Sequence, residues 1–425
     1  MRTRDVIVVG AGPAGSAAAI TLAEAGLDVE VVDKANFPRD KICGDGLTAL
    51  ALRLLEELGV EPLAEDVWRW VDTCTVRSPS GHEVRFELPR EDGHHVAVVP
   101  RADLDAAVLE RARKAGASVR EGVAVSGATE SADGVDVVLA DGSRLRARWA
   151  IAADGMWSPM RKHLGVSEPG YRGEWHAFRQ YFADVSGPAA REIVVYFEPD
   201  LLPGYFWAFP LPGGRANVGF GIQRGAKVAV GEMGQLWSGL LARPHIVEAL
   251  GEGARPEDTR RAWPIPARVD SLSASTRRTM FVGDAVGACD VMTGEGIGQA
   301  LLSGMLAAQE VIDDGPLGRT AAERYARSLR SELVADHRMS ALLVRAQASE
   351  GSRRGARGGG ERVDTAQLRA MALRGLSEGP DAHTEALEPA DAAAAGQLPG
   401  KLTRRPQGPV GSTDARRGIQ LVSAR

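Results

Sequence analysis

The run Asp5-Val-Ile-Val-Val9, continued without a break by Gly10-Ala11-Gly12-Pro13-Ala14-Gly15, constrains this chain more than any other segment. Consecutive β-branched residues are what a strand buried on both faces shows. The glycines then turn the chain, Pro13 to Ala25 reads as a helix stopped by Gly26, and Asp28 to Asp33 reads as a second strand. Together these make a βαβ unit. Gly10 permits the tight turn, Gly12 lets a pyrophosphate approach the backbone, and Gly15 lets helix and strand pack closely. Pro13 and Ala14 open a helix whose free amides and positive dipole end favour phosphate. Asp33 ends the second strand, placed to accept hydrogen bonds from ribose hydroxyls, and Lys34 beside it joins the candidate nucleotide contacts. Met1 to Ile20 resembles a secretory leader in composition, but strand and glycine turn account for it better.

Further along, Arg101 to Ala115 carries Leu104, Val108, Leu109 and Ala112 at helical spacing. Val119 to Ala150 alternates around the turns Asp133-Gly134 and Asp141-Gly142, which predicts a small meander. It is followed by an apolar strand, Trp149 to Ala153. Half of the aromatic residues fall between Trp175 and Phe220, in alternating stretches (Phe178 to Val185, Glu192 to Glu198, Arg215 to Gln223) that predict an antiparallel sheet with an aromatic face. From Met280 the pattern returns to strand, glycine turn and a long helix, Ile297 to Ile312. No aromatic residue follows Tyr325. From about Ser349 the chain is Gly, Ala, Arg, Ser and Pro, a composition that predicts disorder apart from a short helix at Thr365 to Leu376.

Three motifs in chain order carry a family resemblance. Beside the first glycine turn, Ala152-Ala153-Asp154-Gly155-Met156-Trp157-Ser158 resembles the Asp-Gly motif of flavin monooxygenase-type proteins, and Phe281-Val282-Gly283-Asp284-Ala285 their Gly-Asp motif. Arg39-Asp40-Lys41-Ile42-Cys43-Gly44-Asp45-Gly46-Leu47 resembles the Lys-x-Cys-Gly-x-Gly-Leu segment of geranylgeranyl reductases. Pro203-Gly204-Tyr205-Phe206-Trp207-Ala208-Phe209-Pro210 is similar to their Tyr-x-Trp-x-Phe-Pro substrate motif, and Thr293-Gly294-Glu295-Gly296-Ile297 to their glycine turn beside the flavin. The resemblance spans about Asp5 to Ala335 and departs at the tail, where the family's closing helices are not legible; Val291 stands where relatives often carry proline.

The resemblance implies FAD as cofactor and an α/β architecture: a Rossmann-type FAD-binding domain (1–66, 101–165 and 266–345) with an inserted antiparallel-sheet substrate domain of α+β type (67–100 and 166–265), then a disordered tail, 346–425. It implies cofactor contacts from Arg39, Cys43, Gly44, Arg101, Asp154, Gly155, Asp284, Gly294, Gly296 and Ile297. The amides at the start of the Ile297 helix would face the anion of the reduced flavin, and Glu295 would be a structural hydrogen-bonder. Tyr205, Trp207 and Phe209 alternate onto one strand face; with Pro210 they would line a cavity for an apolar chain, and Cys43 would supply or guide a proton. Taken singly, Asp154-Gly155 also reads as a turn, Asp284 as a helix cap, Cys43 as a small buried thiol and the aromatic row as sheet core.

The expected activity is FAD-dependent saturation of C=C bonds in a prenyl chain, on a geranylgeranyl lipid, a prenyl diphosphate or a menaquinone side chain. A hydroxylase on the same scaffold and a flavin-binding protein without turnover are the alternatives. A halogenase is disfavoured because the second tryptophan of Trp-x-Trp is missing around Trp207. The electron donor, NAD(P)H or a ferredoxin, has no separate legible site. Net charge of -5 speaks against a nucleic-acid partner. Three scattered cysteines make neither a disulfide framework nor a metal site and suggest a reducing cytoplasm, with contact at a membrane surface left open. His94-His95 reads as a loop, and no hydrolase constellation or membrane-length apolar run occurs.

Overall fold

The computed structural model describes residues 3–88, 95–226, 228–314 and 321–354. Thr3–Val9 runs through the first sheet, parallel to Val29–Val32 on one side and to Arg144–Ala152 on the other. Ser118–Arg120 extends it beyond Val29–Val32, and Thr279–Phe281 pairs in parallel with the end of Arg144–Ala152. Val6, Ile7 and Val8 are sealed from solvent, as a strand covered on both faces requires.

The expected meander is arranged differently. Ser118–Arg120 leaves it for the parallel sheet, while Val125–Glu130 and Val135–Leu139 form an antiparallel pair. The meander's third strand and the apolar strand are one element, Arg144–Ala152. Its alternating first half pairs antiparallel with Val135–Leu139, and its continuously buried second half runs between parallel neighbours. The change of pattern marks a change of neighbours rather than a break in the strand.

Two helices cover the cofactor-side glycines of this sheet. Pro13–Glu24 is nearly all small where it packs, with Ala17, Ala18 and Ala19 fully buried. Ile297–Ile312 lies so close that a Cβ on Gly304 would sit 2.1 Å from the Ala14 carbonyl oxygen.

The second sheet orders its strands 255–256, 175–183, 215–223, 206–211, 193–196, 73–77 and 83–87, and 261–265 also pairs with 175–183. It is antiparallel except where Ile193–Tyr196 runs parallel to Thr73–Arg77, which comes from a distant stretch of chain. One face packs Phe182, Phe206, Phe220 and Trp237 into a core with helices Met233–Leu241 and Pro244–Leu250.

From Ala321 onward the structure departs from the expectation. Helix Ala321–Leu329, a π turn Arg330–Val334 and helix Ala335–Arg354 follow one another, so helical backbone runs past residue 345. Val344 packs into a cluster with Trp175, Ala267, Cys289, Val291 and Met292. The periodicity was illegible for two physical reasons. The π turn shifts the buried stripe out of the α-helical phase, and two of its buried positions are polar, His337 and Ser340. The short helix expected at Thr365 to Leu376, the remaining tail and His94 lie outside the described residues. Among the described residues no helix is long and apolar enough to cross a membrane, and no metal-binding cluster occurs.

Candidate functional site

The first glycine turn is built as its spacing demands. Gly10 has φ +102°, and a Cβ there would stand 2.2 Å from the Ala153 oxygen. Gly12 differs. Its φ is -72°, and the only atom near a Cβ placed on it is Arg39 Nη2, 3.6 Å away. That Cβ would point into open cavity, filling the cradle a pyrophosphate needs, above a helix start with no side-chain cap. The turn therefore fits a dinucleotide. Asp33 is held in place by two amides, Ala11 N–H to Oδ2 at 2.7 Å and Ala35 N–H to Oδ1 at 2.8 Å.

Arg39 and Arg101 share one buried carboxylate, Asp105. Arg39 Nη1 donates to Oδ2 at 2.6 Å, while Arg101 reaches both oxygens at 2.8 and 2.9 Å. This pairing holds two guanidinium groups at the cavity wall while Asp105 itself is sealed from water.

Asp154 accepts from Ser158 Oγ at 2.6 Å and from the Met160 amide at 2.8 Å, bracing the short helix Pro159–His163. Burial pushes its carboxyl up to about 6, against those hydrogen bonds. Gly155 follows with φ +81°. Asp284 opens the turn Gly283–Val286; its Oδ2 lies 3.7 Å from Lys41 Nζ, and Cys289 Sγ donates to Oδ1 at 3.5 Å.

At the last glycine turn, Glu295 Oε1 accepts from the amides of Ile297 and Gly298, each at 3.0 Å. Glu295 is thus the structural hydrogen-bonder expected. The Ile297 amide, expected to face the cofactor, is instead used inside the turn, because a carboxylate two residues back reaches it first. Burial pushes this carboxyl up to about 7, against the hydrogen bonds from the Gly298 and Ile297 amides and the Gln299 side chain.

A cavity of about 640 Å³ collects these segments. Gly10, Gly12, Pro13, Ala14, Asp33, Lys34, Arg39, Cys43, Gly44, Arg101, Asp154, Gly155, Asp284, Gly294, Gly296 and Ile297 all line it, and so do Tyr205, Trp207 and Phe209. Two predicted residues do not. Gly15 packs where a Cβ would meet the Gly10 oxygen at 1.8 Å, and Pro210 is buried on the opposite face of strand Phe206–Leu211. The Tyr205, Trp207 and Phe209 rings follow one another at 6.1 and 6.3 Å. Trp207 lies against the bare backbone of Gly219, where a Cβ would come within 2.2 Å of its ring. Cys43 is half-buried at the cavity wall, where Cys74 and Cys289 are fully buried, and desolvation of its thiol pushes the pKa up against the pull of Arg101.

Sequence reasoning missed part of this wall. Ile193, Val195 and Phe197 face the cavity beside the aromatic row, with Phe197 5.9 Å from Tyr205. Their alternation was visible, but which sheet face they would share was not. Val123 to Val125 and Trp157 also line the cavity; the Val123 amide bonds the Asp33 carbonyl, and Trp157 is 57% exposed. Asp45 and Asn217 are fully buried behind it.

Residues 3–308 match the family model described as FAD binding domain. The menaquinone reductase of Mycolicibacterium smegmatis is 35% identical over 77% of this chain and 82% of its own length. Digeranylgeranylglycerophospholipid reductase 2 of Methanopyrus kandleri is 33% identical over 76% and 81%. Among solved structures, a geranylgeranyl bacteriochlorophyll reductase-like protein from Thermoplasma acidophilum superposes with a TM-score of 0.74 at 22% identity, covering 91% of this chain and 96% of that one. The halogenase PltM in complex with FAD reaches 0.69 at 19% identity over 87% and 79%, a likeness of fold. Glycine cradle, ordered motifs and matched length agree: the chain belongs to the geranylgeranyl reductase family of FAD-dependent oxidoreductases.

Proposed function

We propose that this protein saturates C=C bonds of a prenyl chain carried by a lipid or a quinone. The observation that carries the reading is one cavity walled on one side by the cofactor-binding turns and on the other by Tyr205, Trp207, Phe209, Ile193, Val195 and Phe197. Relatives named for menaquinone and for digeranylgeranylglycerophospholipid reduction support it. Residues 1–66, 101–165 and 266–345 form the proposed cofactor body, and 67–100 with 166–265 the substrate body.

When bound and reduced, by a nicotinamide cofactor or a ferredoxin, FAD would supply the hydride for one alkene carbon. The chain's residues do the rest. The glycine turn and the first helix hold the pyrophosphate, Asp33 and Lys34 the ribose end, and Arg101, Asp284 and the Gly294 to Gly296 turn the flavin end. An isolated alkene has no carbonyl to spread charge, so protonation leads, and positive character would develop on the carbon that takes the hydride, where the faces of Trp207 and Phe209 would stabilise it. The other carbon takes a proton from Cys43. A thiol whose pKa is raised by burial keeps its proton at neutral pH, which suits a donor and not a thiolate nucleophile. Met339 and Leu342 are exposed on the outer face of the closing helix, next to Arg338 and Arg345, which supports contact with the surface of the membrane that holds such lipids.

The test is anaerobic incubation of the reduced holoenzyme with a prenylated quinone or lipid, followed by mass spectrometry. Products heavier by two hydrogens per double bond are expected. A product gaining oxygen in air, with none gaining hydrogen without it, assigns hydroxylation and overturns the reading.

A further inference from the structure

Behind the cavity, two residues that do not line it tie the loop carrying Cys43 to the strand carrying Trp207, which packs against that loop at Gly44. Asp45 is fully buried with φ 65°, a conformation few side chains adopt without local hydrogen bonding. Its Oδ2 accepts from Tyr181 Oη at 2.7 Å and from Asn217 Nδ2 at 2.7 Å, and its Oδ1 from the Arg101 amide at 3.3 Å. Asn217 Nδ2 donates also to the Cys43 carbonyl at 2.9 Å, and Asn217 Oδ1 accepts from Trp207 Nε1 at 3.1 Å.

The donors and acceptors leave the amide one orientation. An ionised carboxylate and a carbonyl only accept, so Nδ2 must face them; an indole N–H only donates, so Oδ1 must face it. Asp45 therefore dictates which way Asn217 points, and Asn217 dictates where the indole of Trp207 and the loop carrying Cys43 stand relative to each other. A hydrophobic contact slides; this set of buried bonds does not, because any partner left unpaired away from water costs its full desolvation.

We infer that Asp45 and Asn217 form a latch that fixes the Cys43 loop in register against Trp207 and thereby selects which double bond along the bound chain is reduced. Both are positioning residues, and the inference rests on the prenyl-chain reading above. The charged and titratable groups facing Asp45 are Tyr181, Arg179 (its guanidinium 4.0 Å from the Tyr181 ring), Arg101 and Cys43. Burial raises the Asp45 carboxyl to about 6 against the pull of Tyr181, Arg179, Asn217 and Arg101. Once protonated, one oxygen becomes a donor and the demand on Asn217 weakens. The latch loosens as pH falls through that value.

The holoenzyme tests this with three substitutions and a substrate bearing several double bonds. Asn217→Leu is expected to keep its FAD, lose about tenfold or more in kcat, and spread reduction over other double bonds. Asp45→Asn is expected to flatten the acid limb of the kcat profile near pH 6. Tyr181→Phe, which removes a donor to the ionised carboxylate, is expected to move that limb to higher pH. A wild-type product pattern in Asn217→Leu, or an unchanged acid limb in Asp45→Asn, overturns the latch; if Asn217→Leu does not fold, the two pH profiles decide. Should the wild type convert no prenylated substrate, the functional reading fails on its own. The latch is then judged by alkylation of Cys43, expected to be several-fold faster in Asn217→Leu, and an equal rate sinks it.

Discussion

Gly12 separates binding from folding at the level of one atom. A methyl group there meets only the end of the Arg39 side chain at 3.6 Å and breaks no backbone geometry, yet it occupies the pyrophosphate cradle. Gly12→Ala should leave the cofactor-free unfolding midpoint unchanged and weaken FAD binding on the order of 100-fold, read by titration of the yellow cofactor. Glu295 gives a pH prediction whose sign is fixed. Its folded pKa, about 7, lies above its ordinary 4.5, so the folded state binds more protons across that window. Its contribution to stability is full below about 4.5 and is lost as pH rises through 7. Glu295→Gln keeps the Oε1 acceptor for the Ile297 and Gly298 amides and cannot ionise. In urea unfolding of the cofactor-free protein, the variant should match wild type near pH 4.5 and exceed it by about 3 kcal/mol at pH 8.

Among the elements, the two helices over the first sheet depend on small residues. Gly304 places Ile297–Ile312 against Pro13–Glu24, where a Cβ would meet the Ala14 backbone at 2.1 Å. Backbone cannot yield as a flexible side chain can, so Gly304→Ala should destabilise by about 2–3 kcal/mol. Because the same helix starts from the Gly294 to Gly296 turn at the cavity wall, FAD retention should fall with it, measured as the bound fraction after gel filtration. These elements were legible because each had a local signature. The run Asp5 to Gly15 announced its strand and turn, and Ile297 to Ile312 announced its helix with the bounds observed. The closing helix Ala335–Arg354 had no such signature, since a π turn and the buried polar residues His337 and Ser340 erase the stripe by which amphipathic helices are read.

Across the whole molecule, the aromatic sheet is brought over the glycine turns, and helix Ala335–Arg354 leaves Met339 and Leu342 exposed. Sedimentation with vesicles containing anionic lipid should carry the protein down, and Met339→Glu with Leu342→Glu should reduce the bound fraction without changing FAD content; equal binding by the double variant removes that face from consideration. The sequence by itself determined the dinucleotide turn, the order of the three flavin motifs and the alternation of Tyr205, Trp207 and Phe209, because each follows from local backbone sterics and side-chain periodicity. Only the tertiary structure decided that Ile193, Val195 and Phe197 share the cavity wall, that Arg39 and Arg101 meet on Asp105, and that Asp45 reaches Tyr181 and Asn217. Arg101 and Asp105 lie one helical turn apart, but Arg39, and the Tyr181 and Asn217 partners of Asp45, come from distant stretches, and a buried carboxylate satisfied by distant donors leaves no periodic trace; it exists only once the sheets have packed.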